Sequence, residues 1–272
     1  MKLSSLYKET LKSGSVNPSD FFILIEKITG ITKEKFWAHN DSISLTSDET
    51  TLLRTAIIRL QNNEPVSYIT GEKEFYSEKF IVNKSVLIPR PETELIIDIL
   101  LSESDSTTKI LEIGAGSGII SILAAKLSGA EVTAVEYDND ALEVLKNNIE
   151  LHNVKELVTP VSADLFPVKK PKFNIIVTNP PYLSEKDLEQ ADPAVREHEP
   201  RIALLGGENG HEIIEKIIRR AQEYLSYNGK ILIEIGYDQR SKVIKLLQIY
   251  GYKNIEFYDD LNGIPRVVKA TK

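Results

Sequence analysis

Five short apolar runs, Lys109–Ile113, Glu131–Glu136, Val158–Ala163, Asn174–Thr178 and Lys230–Ile235, are separated by stretches with helical spacing, among them Ser121–Leu127, Ala141–Leu151 and Glu212–Leu225. Strands alternating with helices predict an α/β fold, a doubly wound and mostly parallel sheet. Ligands of such sheets sit beyond the carboxyl ends of the strands. The residues that follow each run are therefore where chemistry is to be sought.

Ahead of Pro89 the pattern differs. Leu3–Leu11, Phe21–Ile28 and Leu52–Leu60 recur near helical spacing, with Ser19 and Ser47 as N-cap candidates. From Lys73 to Ile88 the aromatic and β-branched residues Phe75, Tyr76, Phe80, Ile81, Val82, Val86 and Leu87 predict a short hairpin. The expected organisation is a small N-terminal helical domain over 1–72 that recognises substrate, a linking β-hairpin over 73–88, and the α/β domain over 89–272. A chain of 272 residues has room for one full domain and a smaller partner.

Composition narrows the function classes. Hydrophobic residues at 42% and charged residues at 27% match a globular protein rather than a disordered or fibrous one. Forty acidic against 33 basic residues give a net charge of -7, which argues against a long footprint on nucleic acid. The chain has no cysteine, so disulfides, thiolate metal sites and a cysteine nucleophile are excluded. His39, His152, His198 and His211 show no ligand spacing, and no metal is expected. The polar start lacks a signal peptide's apolar run, and no stretch approaches the roughly 20 apolar residues of a membrane span. A soluble, cytoplasmic monomer is the expectation.

The first run ends in Glu112-Ile-Gly114-Ala115-Gly116-Ser117-Gly118 and opens a helix. Glycine there allows positive φ and removes the Cβ that would meet a ligand. A dinucleotide fingerprint would need glycine where Ile119 stands, and a Walker loop would need a Lys-Ser/Thr pair that is missing. Glu136 ends the second run, where a carboxylate can accept both hydroxyls of an adenosine ribose. At the third, Asp164 could accept an exocyclic amine while Leu165 or Phe166 covers a ring face. Together these describe an adenosine-shaped slot.

Asn179-Pro180-Pro181-Tyr182 follows the fourth run. Two prolines end the strand, remove two backbone donors and stiffen the segment, leaving a surface of acceptors. An amide or adenine amino nitrogen is a poor nucleophile because its lone pair is delocalised. If the Asn179 side-chain carbonyl and the Pro180 backbone carbonyl each accept one N–H, they can hold that nitrogen as it pyramidalises and aim its lone pair at a sulfonium methyl. Tyr182 could then stack on the planar group.

With these residues in view, the chain resembles the HemK/PrmC family of protein-glutamine methyltransferases. Leu87-Ile-Pro-Arg90-Pro-Glu92-Thr-Glu94, Pro65-Val-Ser-Tyr68-Ile-Thr-Gly71, and Glu199-Pro-Arg-Ile-Ala-Leu204 with Gly206, Gly207 and Gly210 are similar to segments of that family, and the similarity spans almost the whole chain. The resemblance implies a Rossmann-like class I methyltransferase fold. It implies S-adenosyl-L-methionine bound by Gly114, Ala115, Gly116, Ser117, Gly118, Glu136, Asp164 and Leu165, with Asn179 reaching both ligands. Asn179, Pro180, Pro181 and Tyr182 would hold the substrate amide, and Arg90 and Glu92 would border the site. The implied substrate is the glutamine of the Gly-Gly-Gln motif in peptide chain release factors. The family usually has aspartate where Glu112 and Glu136 stand. Three other readings stay open at this stage: a glutamine methyltransferase for a ribosomal protein, a DNA adenine methyltransferase, and an inactive protein that only binds the cofactor.

Overall fold

The computed structural model describes residues 1–12, 14, 16–39 and 42–272. The chain forms two compact units, one of Met1–Glu72 with Asp192–His198 and one of Lys73–Ala191 with Glu199–Lys272. The first contains α1 (Leu3–Lys12), α2 (Pro18–Thr29), α3 (Lys33–His39), α4 (Ser47–Gln61) and α5 (Val66–Thr70). Its core gathers Leu3, Leu6, Phe21, Ile25, Phe36, Leu53 and Ile57. Helix starts correct the expected caps. Asn17, not Ser19, caps α2 by accepting from the Ser19 N–H, with Pro18 at the first helical position. Thr46, not Ser47, caps α4 in a reciprocal box with Glu49. In both cases the accepting oxygen belongs to the extended residue just outside the helix.

The second unit opens with β1 (Glu72–Phe75) and β2 (Glu78–Ile81). Tyr76 and Ser77 between them have φ of 53° and 60°, the positive pair a type I′ hairpin turn requires. The hairpin is shorter than the expected 73–88. Val86 and Leu87 lie outside any strand, because the chain turns where Val86 N–H donates to the Asn83 carbonyl (3.1 Å) and then enters Pro89 and Pro91, which have no donor for a ladder.

Then follow α6 (Thr93–Ser102), β3 (Lys109–Ile113), α7 (Ile119–Ser128), β4 (Glu131–Glu136), α8 (Asn139–Leu151), β5 (Val158–Ser162) and β6 (Phe173–Thr178). After α9 (Glu185–Gln190), α10 (Pro193–His198), which belongs to the first unit, and a single 3-10 turn come α11 (Glu212–Ala221), β7 (Leu225–Glu234), α12 (Arg240–Ile249), β8 (Lys253–Asp259) and β9 (Pro265–Thr271). The seven-stranded sheet has the order β5-β4-β3-β6-β7-β9-β8. β9 is antiparallel to both neighbours and the rest are parallel. Alternation along the strands separates two cores. Ile110, Val132, Ala134, Ile175 and Val177 face α6, α7 and α8, whereas Leu111, Ile113, Val135, Ile176 and Ile233 face α11 and α12. From β3 the chain winds outward through β4 and β5, then returns to β6 on the other side of β3. The crevice between β3 and β6 is thus the switch point where α/β sheets bind ligands. Among the described residues, no helix is long and apolar enough to cross a membrane, and no cluster of three or more potential metal ligands occurs.

Candidate active site

A pocket of ≈ 290 Å³ opens at that switch point, above the carboxyl ends of β3, β4 and β6. Gly114, Ala115, Gly116 and Ser117 line it, and Gly118 does not. The loop is anchored by backbone donation from Gly114 and Ala115 to the Val135 carbonyl. Gly116, at φ 53°, donates its N–H to Glu136 Oε2 at 2.8 Å. The buried amide of Asn148 on α8 holds the loop from behind, donating to the Ser117 carbonyl (2.8 Å) and to that of Ile81 (2.9 Å). Nothing in the sequence marked Asn148, which reads as one polar residue of an amphipathic helix.

Glu136 lines the pocket, and both of its oxygens turn back to the backbone. Besides Gly116, its Oε1 accepts from Tyr137 (2.7 Å) and Asp138 (3.0 Å). A carboxylate offers about four lone-pair positions, so capacity toward a ligand hydroxyl remains. Glu112 also lines the pocket, at 2% exposure. Its Oε2 accepts from the Ser121 N–H (2.9 Å) and the Ser121 hydroxyl. Burial pushes its carboxyl up to about 8, against the lowering effect of Ser121 and with a small addition from Glu136.

Asp164 and Leu165 line the pocket too, with Leu165 at φ 62°, a left-handed conformation rare for a bulky residue. Phe166, the alternative ring cover, points away. It stacks on Tyr224 with centroids 4.6 Å apart and belongs to the core under α11 and α12.

At the end of β6, Asn179 and Pro181 reach the lining; Pro180 is buried behind it. The Asn179 Nδ2 donates to Thr93 Oγ1 at 3.2 Å. Tyr182 is half-buried against the α11–α12 core and does not line the pocket. Burial, helped by the nearby Glu234, pushes its phenol up to about 12. Arg90 lines the pocket and is paired with the buried Glu199, whose Oε2 also accepts the Ile88 N–H at 3.3 Å. Glu92 lies outside the lining.

The Asn-Pro-Pro-Tyr segment is held by residues distant in sequence. Leu183 N–H donates to the Leu204 carbonyl and Gly206 N–H to that of Leu183, both at 2.9 Å. A Cβ on Gly206 would fall 2.6 Å from the Pro181 oxygen, and one on Gly210 2.5 Å from that of Tyr182. Gln239 donates to the Tyr182 carbonyl (3.0 Å) and the Gly210 carbonyl (2.8 Å). Glu234 and Gln239 escaped the sequence reading because each sits singly at the end of an element with no pattern around it, and Thr93, although inside the Leu87–Glu94 segment, was given no role there.

Residues 6–71 match the PrmC N-terminal domain and residues 91–196 the methyltransferase small domain. A Geobacter sulfurreducens protein named release factor glutamine methyltransferase is 36% identical over 90% of this chain and 86% of its own length. A Rickettsia typhi protein named bifunctional methyltransferase is 39% identical over 78% of this chain; that match takes in only 45% of the relative, so the chain spans less than half of it. A methyltransferase crystal structure from Pyrococcus furiosus, 19% identical, superposes with a TM-score of 0.55 over 84% of this chain and 99% of its own, which shows the shared fold. With both family models in place and a relative matched along nearly its whole length, the chain belongs to the HemK/PrmC family of methyltransferases.

Proposed function

We propose that this protein transfers a methyl group from S-adenosyl-L-methionine to the side-chain amide nitrogen of the glutamine in the Gly-Gly-Gln motif of peptide chain release factors, in the cytoplasm. The observation that carries this reading is the tether on Asn179. With Nδ2 given to Thr93, Oδ1 is left as an acceptor at the mouth of a pocket suited to the cofactor. Relatives named for this activity match over most of their length.

The pocket residues fit that cofactor by their chemistry. Glu136 and Asp164 are acceptors for ribose hydroxyls and the adenine amine, Leu165 offers an apolar face, and Glu112 supplies a carboxyl for an ammonium group. When bound, the cofactor supplies an electrophilic methyl on a sulfonium. The chain's own part is to make a poor nucleophile adequate. Asn179 Oδ1 and the Pro180 carbonyl accept the two N–H bonds of the amide, draw electron density onto nitrogen and fix its direction of approach. Arg90, held by Glu199, borders this region, and Tyr182 stiffens it from behind. The helical unit recognises the folded substrate.

Labelled methyl donor offered with release factors, ribosomal proteins or DNA should label the release factor at glutamine. Asn179→Ala should lower turnover on the order of a hundredfold with cofactor affinity retained. Label on DNA, or near wild-type turnover by the variant, would overturn the assignment.

A further inference from the structure

Glu234 ends β7 in a position the function above does not use. β6 and β7 run parallel with Thr178 opposite Ile233, so Glu234 comes level with Asn179. The residue is 2% exposed, and its Oε2 is a buried polar atom with no hydrogen-bond partner among the described residues. Buried carboxylates are rarely left incompletely satisfied without a functional reason. Thr93, the first residue of α6, accepts from Asn179 Nδ2 at 3.2 Å through its Oγ1, and the side chains of both Thr93 and Asn179 lie against the Glu234 carboxyl and hold its pKa down.

Resting on the reading that Asn179 accepts from the substrate amide, we propose that Glu234 is a positioning residue which, together with the Thr93 hydroxyl, fixes the Asn179 side chain with its oxygen toward the pocket. An asparagine amide has nearly the same shape when flipped, so packing alone selects its orientation poorly. A hydroxyl both donates and accepts, and it too leaves the choice open. An ionised carboxylate only accepts. It therefore attracts the donors of both Thr93 and Asn179, turns the Oγ1 lone pairs to Asn179 and makes Nδ2 the end that points inward, toward Thr93 and Glu234. The polarity of the whole chain is set at Glu234.

Protonation would undo this. A neutral carboxyl can donate to Thr93, whose own proton is then free to turn toward Asn179, an arrangement that favours the flipped amide. That amide presents donors where the substrate needs acceptors. Burial, with a contribution from the charge of Glu92, pushes the Glu234 carboxyl up to about 7; hydrogen bonds from Thr93 and Asn179 and the Arg266 guanidinium on β9 pull it down. The Tyr182 phenol, also close to Glu234, stays neutral through this range. As pH falls through about 7 the charged form is lost, and with it the fixed orientation.

The test measures kcat against pH for the full chain acting on an intact release factor, with side-chain amide NMR of Asn179 followed in parallel. Wild type should lose kcat on the acid side of neutrality. Glu234→Gln, isosteric but able to donate, should lower kcat at pH 8 by about tenfold to a hundredfold, abolish the acid limb and leave the cofactor KM within about twofold, since no cofactor contact is removed. Thr93→Val should lower kcat less than Glu234→Gln and keep the acid limb, because the Glu234 carboxylate still faces Asn179. The Asn179 NH₂ signals should titrate near neutrality in wild type and not in Glu234→Gln. An unchanged acid limb in Glu234→Gln, or wild-type kcat at pH 8 in that variant, would overturn the proposal. If wild type methylates no release factor, the function proposed above fails, and the NMR titration still decides this one: signals without pH dependence in wild type overturn it.

Discussion

At the scale of single residues, the site carries carboxylates whose burial costs stability. Glu112 is held near 8 when folded, against 4.5 for the ordinary group. Between those values the folded state binds more protons than the unfolded one, so stability falls as pH rises through that window and levels off above about 8. Glu234 adds a contribution of the same sign up to about 7. Glu112→Gln keeps an acceptor for Ser121 and removes the charge. Its Tm should match wild type near pH 4.5 and exceed it by roughly 5–10 °C at pH 9, a gain on the order of a few kcal/mol. A Tm difference independent of pH would show that the burial argument is wrong. Glu136→Ala should weaken S-adenosylhomocysteine binding by about 1–3 kcal/mol, because the Gly116, Tyr137 and Asp138 N–H groups lose their acceptor along with any ribose contact. Unchanged affinity in a calorimetric titration would assign Glu136 to the loop alone. Glu136 was legible from its place after an apolar run, since strand ends are where acids meet ligands. Its grip on Gly116 was not, because a hydrogen bond between residues twenty positions apart is set by the fold that brings the loop over the strand end.

At the scale of elements, the acceptor surface depends on contact between backbones. Gly206→Ala would drive a Cβ to 2.4 Å from the Gly210 oxygen and 2.6 Å from that of Pro181, which no flexible side chain can relieve. The segment must shift, and the Asn-Pro-Pro-Tyr loop with it. The expected result is a kcat loss of about a hundredfold with cofactor affinity within about twofold, because the Gly114–Ser117 loop hangs from Val135 and Glu136 instead. A matched loss of cofactor affinity would mean that the two loops move as one. The central strands were legible because burial on both faces makes them near-continuous apolar runs. β7 was not legible from its start at Leu225, since Ser226-Tyr-Asn-Gly229 reads as a turn where the ladder is irregular between Phe173 and Ile175. β8 went unread because it is the edge strand, half-exposed and mixed with Lys253, Glu256 and Asp259, and β9 because its buried Val267, Val268 and Ala270 are broken up by Arg266 and Lys269. The Asn262-Gly263 pair between them was the one available hairpin signal.

At the scale of the whole molecule, each unit has its own apolar core. The helical unit's runs from Leu3 to Ile69, and the two clusters flanking the sheet contain no residue before Phe75. A chain beginning after Thr70 can therefore be asked to bind S-adenosylhomocysteine as evidence that its pocket is formed. If the helical unit recognises the folded substrate, the binding energy it gathers far from the reacting nitrogen is what positions the target amide. A short Gly-Gly-Gln peptide supplies none of that energy and should be a far poorer substrate than the intact release factor for the full-length chain. Removing residues 1–70 should then cost on the order of a hundredfold or more in kcat/KM on the intact factor, while the weak peptide reaction stays within a few-fold of its starting rate. Equal losses on both substrates, with cofactor binding retained, would give the helical unit a structural role and move recognition to the methyltransferase unit.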